Sequence, residues 1–170
     1  HQQAQSLIRN SFHSGAEIQT LINEVILPAI TSLEDLYLKA KIGTSEAKML
    51  RGIISNSIQI LVTQKEPDPK RNVVVLSADP QSILYAQAAS CSLSDKGWQV
   101  WQLGDMSDAI DVLYDLDLQK FITKIWKQKT GILVIAIFSA TDEGTKFFSE
   151  SANAIKPKFG KNLHIDRKST

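Results

Sequence analysis

Few side chains in this sequence are of types and at spacings that support chemistry. Asp79 and Gln81 stand in Ser77-Ala78-Asp79-Pro80-Gln81-Ser82, the turn that follows the apolar run Val73-Val74-Val75-Leu76. In open parallel sheets ligands bind beyond the carboxyl ends of the strands, so this turn is the expected seat of function. His1, His13 and His164 share no metal-ligand spacing and read as surface residues. Asp105, Asp108, Asp111, Asp115 and Asp117 lack the glycine and terminal glutamate of a calcium loop and read as a solvated acidic segment. Cys91, the single cysteine, has no base placed to activate it and reads as a small buried apolar residue rather than a nucleophile. The glycine patterns that cradle the phosphates of dinucleotides and triphosphates are absent. What is left suits binding better than turnover.

The elements that must position this turn are set by hydrophobic periodicity. The β-branched run at 73–75 predicts a strand buried on both faces, because a solvent-facing strand would alternate with polar positions. Pro80 has no N–H to donate and a φ suited to a first helical turn, so a helix is expected from Gln81 to about Asp95, carrying Ile83, Leu84, Ala86, Ala88 and Leu93. The stretch 98–103 alternates as a strand ended by Gly104. A short helix is expected around 107–113, a further one over 118–128, and a buried strand over 131–138. Ser139-Ala140-Thr141-Asp142 then leaves that strand and caps a helix reaching Lys156, where Pro157 and Gly160 punctuate, and 162–166 reads as a fourth strand. Strands alternating with helices imply right-handed crossovers and a doubly wound, mostly parallel Rossmann-like sheet over residues 72–170. Such a domain commonly carries another strand and helix, so 167–170 is expected to be the edge of an abbreviated or truncated domain.

Residues 1–64 read as a helical bundle. Ala4, Leu7, Ile8 and Phe12 recur at helical spacing until Ser14-Gly15, and apolar residues over 16–41 keep a 3.6-residue period through one long amphipathic helix. Pro28 inside it removes a backbone hydrogen bond and predicts a bend near Asn23-Glu24. Ile42-Gly43 ends that helix, Thr44 is placed to cap the next, and Glu46 in its first turn complements the helix dipole. Helices of this kind cannot each bury an apolar stripe alone, so they are expected to form a small antiparallel bundle. Residues 65–71, with two prolines among five charges, predict an extended, solvated linker and the domain boundary.

Composition narrows the classes further. At 170 residues, 43% hydrophobic and 22% charged, the chain has the make-up of a soluble globular protein with room for a helical lobe and one α/β domain. A net charge of +1 argues against wholesale nucleic-acid binding. One cysteine rules out a disulfide framework and points to a reducing, cytoplasmic setting. No apolar run reaches the roughly 18 residues of a membrane span, and HQQAQSLIRN lacks the layout of a signal peptide.

Ile26-Leu27-Pro28-Ala29, Lys41-Ile42-Gly43, the strand and turn 75–81, Gln102-Leu103-Gly104 and Phe138-Ser139-Ala140 occur in this order along a bundle, a linker and a Rossmann-like half. This layout resembles the cobalamin-binding modules of methionine synthase, of the corrinoid methyl-carrier proteins and, most closely, of the light-sensing MerR-type repressors. The likeness spans roughly residues 4–166. In that family the turn after the first strand reads Asp-x-His-x-x-Gly, the histidine ligating cobalt from below and the aspartate orienting it. Here Asp79 is kept, Gln81 stands at the histidine and Leu84 at the glycine. An amide is a far poorer ligand than imidazole, and leucine adds bulk where glycine lets a cofactor approach the backbone. The resemblance also places Tyr37 where the repressors carry a tryptophan over the corrin, and Lys48, near Glu46, where they carry a histidine. Gly104 matches the end of the second strand, and Ser139 with Thr141 matches the contact to the buried nucleotide tail. The paired glycines of the family after its fourth strand are replaced by His164-Ile165-Asp166-Arg167.

The resemblance implies a sensory or regulatory module rather than an enzyme. Its ligand would be a small molecule, cobalamin or another tetrapyrrole, held between bundle and sheet, and its output an attached or separate effector protein in transcription or signalling. A homo-oligomer is compatible with this reading, and the DNA-reading element of the repressors belongs to a separate domain. Two alternatives stand beside it: a corrinoid-dependent methyl carrier, and a protein-interaction module that kept the fold and lost the cofactor.

Overall fold

The β-branched run forms the middle of β1, Asp68–Ser77, in the computed structural model of the chain, which describes residues 2–13, 15–62, 65–109 and 114–169. Val73 to Leu76 are at most 2% exposed, so the strand is buried on both faces as its composition predicts. β1 pairs in parallel with β2, Trp98–Asp105, on one side and with β3, Ile132–Ser139, on the other. β4, Leu163–Ser169, joins β3 in parallel, giving the order β2-β1-β3-β4. The chain is therefore α/β, with helices preceding a parallel Rossmann-like sheet.

Two strand boundaries differ from the sequence expectation, each for a local reason. β1 begins at Asp68, so 68–71 of the expected linker is strand; Asp68 pairs with Trp98 and Asn72 with Gln99, and the irregularity between them accommodates Pro69, which cannot donate to a ladder. Gly104 does not end β2. Val75 pairs with Gln102 and Leu76 with Gly104, so Leu103 is an extra residue in a bulge, and Gly104 supplies the φ of 73° that the bulge requires.

Two helices cover one face of this sheet. α6, Tyr114–Ile125, and α7, Asp142–Phe159, set Leu118, Ile122, Phe148 and Ile155 against Val74, Leu76, Ile135 and Ile137. α6 lies earlier than the expected 118–128, and Trp126 closes it with a hydrogen bond to Ile122. α7 runs past Lys156 and through Pro157, because the buried Phe159 keeps the last turn on the core. Of the short helix expected over 107–113, Ser107–Ala109 is a single turn of 3₁₀-helix and 110–113 lies outside the described residues.

The helical part comprises α1, Gln2–His13, α2, Ile18–Leu21, α3, Leu27–Leu38, and α4, Thr44–Ile60. The single long helix expected over 16–41 is interrupted by a π-helical turn, Ile22–Ile26, in which Leu27 N donates to Ile22 O. The turn falls where Pro28 predicts a distortion, since proline removes a hydrogen bond one turn upstream. The extra residue also rotates the remainder of the helix back by about 100°. That brings Ile26, Ile30 and Leu33 towards the stripe of Ile18, Leu21 and Ile22, and all six are buried. α3 ends at Leu38, ahead of Ile42-Gly43, because Ala40 takes a φ of 53° and Lys41 N bonds back to Leu36 O. Gly43, not Thr44, is the N-cap of α4; its extended backbone starts the helix without a side-chain cap, and Thr44 is already helical. α4 packs against α1 and α3.

The chain divides into two compact units, each discontinuous in sequence. One is His1–Lys65 with Gln87–Lys96, the other Glu66–Ala86 with Gly97–Thr170. The division passes through α5, Ile83–Asp95, whose later turns belong to the helical unit. Within that unit Gln19 Nε2 donates to Ser92 O at 3.0 Å and to Asp95 Oδ2 at 3.1 Å, and Ser92 Oγ donates to Gln19 Oε1 at 2.6 Å. Lys65 Nζ lies 3.2 Å from Asp95 Oδ1. Among the described residues no helix is long and apolar enough to cross a membrane.

Candidate functional site

With strand order β2-β1-β3-β4, the chain leaves β1 towards one edge of the sheet and β3 towards the other, so the β1/β3 pair is the topological switch point. Asp79 follows β1 there, and Ser139 ends β3. The Asp79 carboxylate joins the two turns. Oδ1 accepts from Ser82 N at 2.9 Å and Ser82 Oγ at 2.5 Å; Oδ2 accepts from Ser139 Oγ at 2.9 Å and Ala140 N at 2.8 Å. A carboxylate has about four lone-pair sites, and these four donor atoms occupy them, the single Ser139 Oγ proton being shared between Asp79 Oδ2 and Thr141 O at 2.8 Å. Ala78 N adds a backbone bond to Phe138 O at 2.8 Å, and Ser77 Oγ donates to Asp79 O at 2.5 Å. Ser77, Ser82 and Ser139 are fully buried.

Electrostatics agree with this geometry. Burial alone would raise the Asp79 pKa, but the bonds from the Ser82 hydroxyl, Ala140 N–H, Ser139 hydroxyl and Ser82 N–H together outweigh it and hold the carboxyl below its ordinary value. Asp79 is thus an ionised tie that also caps the 3₁₀ turn Pro80–Ser82 ahead of α5.

The other sequence-derived positions in this unit fall into place around the tie. Thr141 is the N-cap of α7, its Oγ1 accepting from Gly144 N at 3.2 Å, so the capping role belongs to Thr141 and not to Ser139. Ser139 instead links the turns, with Thr141 N donating to its Oγ at 3.1 Å. A Cβ on Gly144 would lie 2.7 Å from Ser139 Oγ and 2.9 Å from Ala78 Cβ, so only glycine lets α7 start this close to the end of β1. Gln81 is exposed on the 3₁₀ turn, whereas Leu84 is 5% exposed and part of the core. Gly104 lies in the β2 bulge, just before Met106 N bonds to Ser77 O at 2.8 Å.

The candidates on the helical unit are not assembled into a cluster of their own. Tyr37 on α3 has the Arg51 guanidinium 5.0 Å from its ring centroid, and Arg51 forks onto Glu34 with two bonds of 2.9 Å. The hydrogen bond to Glu34 raises the Arg51 pKa despite partial burial. Glu46 and Lys48 are exposed on α4 at a spacing that points them away from one another. Cys91 is 3% exposed, and burial, with a smaller push from Asp95, raises its thiol pKa to about 11, which favours the neutral thiol at neutral pH. Among the described residues no group of three or more His, Cys, Asp or Glu is placed to hold a metal ion.

No protein-family model and no curated protein sequence matches this chain. The residues of the turn do not fit a corrinoid held from below by this turn. Gln81 is a poor ligand, Asp79 has no acceptor capacity left to orient one, and Leu84 fills the position where the family carries glycine. Ser82, Ala140 and Gly144 were missed in the sequence, as was the Arg51 cap on Tyr37. Asp79 followed three residues later by Ser82 is a capping pattern and was legible; the partners 60 residues away left no local signal.

Proposed function

We propose that this chain is a non-enzymatic sensory or regulatory module on a frame like that of the cobalamin-binding domains. It binds a tetrapyrrole-type small molecule without an axial ligand from the turn after β1 and relays the change to an effector protein. The observation that supports this reading is the saturated Asp79 tie at the switch point, which makes the turn a fixed joint rather than a ligand arm. The methyl-carrier alternative needs cobalt chemistry that Gln81 and the buried Leu84 do not support.

The test is the absorption spectrum of the protein as purified and after mixing with hydroxocobalamin, adenosylcobalamin and haem. A saturable change with one of them is expected, and a bound cobalamin should keep its own base or water below the cobalt. A spectrum of histidine-ligated cobalamin would overturn the reading, with His13 the first residue to substitute. No change with any of the three would leave the cofactor-free interaction module in its place. That second reading is favoured by the exposed apolar side chains of the helical unit, Leu38 at 80% and Met49 at 48%.

A further inference from the structure

At the amino ends of the strands, opposite the Asp79 turn, the sheet unit holds a cavity of about 370 Å³ that neither the resemblance nor the proposed function uses. Two indoles line it. Trp126 is 4% exposed, with its Nε1 donating to Thr130 O at 2.9 Å, and Trp101 on β2 is packed against the sheet core. Asn72 reaches the same cavity from β1 and is 4% exposed. Its Nδ2 is pinned by the carbonyls of Pro69, Thr130 and Ile132 at 2.9, 3.3 and 3.1 Å, an arrangement that fixes which end of the amide is nitrogen. Oδ1 is left as an acceptor with no partner among the described residues. An amide held this firmly in a residue that lines a cavity is a recognition group for an N–H donor.

Charge at the cavity has one sign. Lys124 and Lys127 line it, no aspartate or glutamate does, and neither lysine is in an ion pair among the described residues. A shallower groove of about 300 Å³ continues from it past the same two lysines to Lys120. The partly exposed Trp101 indole backed by Trp126, the fixed Asn72 amide and two ammonium groups with no ion pair among the described residues complement different parts of one molecule: a ring, its N–H and an anionic substituent. We infer that this cavity binds a small planar heterocycle that bears an N–H donor and a phosphate or carboxylate. The inference is independent of any ligand at the switch point.

The experiment is an NMR titration of the full chain, read at the indole N–H signals, with adenosine monophosphate and indoleacetate as probes. Adenosine and inorganic phosphate serve as single-group controls. The signals of Trp101 and Trp126 should move saturably, while that of Trp98, which does not line the cavity, stays in place. Each control should bind at least about tenfold more weakly than adenosine monophosphate, a loss of one energetic decade for the missing ring or anion. Lys124→Glu with Lys127→Glu, both exposed, should weaken both probes by at least about tenfold, with a retained thermal transition showing that the variant is folded. Unmoved Trp101 and Trp126 signals with both probes, or shifts indifferent to the charge reversal, would overturn the site. A single-stranded RNA oligonucleotide that moves the same signals far more tightly than adenosine monophosphate would replace the small ligand with a nucleic acid and overturn it as well.

Discussion

Asp79 is the residue on which the switch point depends, and its replacement has a defined cost. Asp79→Ala removes the acceptor of four donors, three of them on the fully buried Ser82 and Ser139, and should lower stability to urea by roughly 3 kcal/mol. Because the folded pKa lies below the ordinary 3.8, the contribution is complete above that value and is lost as pH falls through the folded pKa. The difference between wild type and Asp79→Ala should therefore hold from neutral pH to about pH 5 and shrink below about pH 4. A difference that ignores pH would assign the residue a packing role only. Gln81 and Leu84 argue in the opposite direction. Gln81→His is exposed and finds no free carboxylate to orient it, so the absorbance of added cobalamin should match that with wild type. Adding Leu84→Gly opens the approach but empties a buried site in a helix, at a cost of roughly 4 kcal/mol. Any gain in cobalamin affinity is expected from the double variant alone, with its melting temperature clearly lowered.

At the scale of elements, the π turn Ile22–Ile26 has two candidate causes, proline and core registration, and one substitution separates them. If the buried stripe holds the turn, Pro28→Ala should change stability by under about 1 kcal/mol; a gain near 3 kcal/mol, the cost of an interior proline, would mean that proline alone imposes it. Gly144→Ala tests the joint between α7 and β1. Its new methyl meets Ala78 Cβ and the tied Ser139 Oγ, neither of which has room to retreat, so a loss of about 1–3 kcal/mol is expected on thermal unfolding. Strand and helix positions were largely legible, because burial on both faces writes an unbroken apolar run and burial on one face writes a period of 3.6. Gly104 shows where legibility stopped. A glycine after an apolar stretch looks like a terminator, and only the pairing of Leu76 with Gly104 reveals a bulge inside the strand.

At the scale of the molecule, a boundary at 65–71 would suggest that the first 65 residues fold by themselves. The helical unit includes Gln87–Lys96, and with it the bonds from Gln19 to Ser92 and Asp95 and the ion pair of Lys65 with Asp95. A fragment of residues 1–65 is thus expected to lack a cooperative thermal transition by circular dichroism. A sharp transition matching that of the helical unit in the full chain would show that α5 is dispensable to it.

Local order determined what the sequence could disclose by itself: an α/β chain with helices first, a central strand at 73–76, and a turn at Asp79 in the place where parallel sheets bind ligands. Periodicity and backbone chemistry act between neighbours, so they are present in any short stretch of residues. Tertiary structure alone decided the strand order, the tie of Asp79 to Ser139 and Ala140, the Arg51 guanidinium over Tyr37, and the pinned Asn72 amide in the wall of a cavity that two tryptophans line. Each of these joins residues far apart in the chain, and whether a polar group remains available or is already spent depends on partners that only the folded chain brings within hydrogen-bond reach.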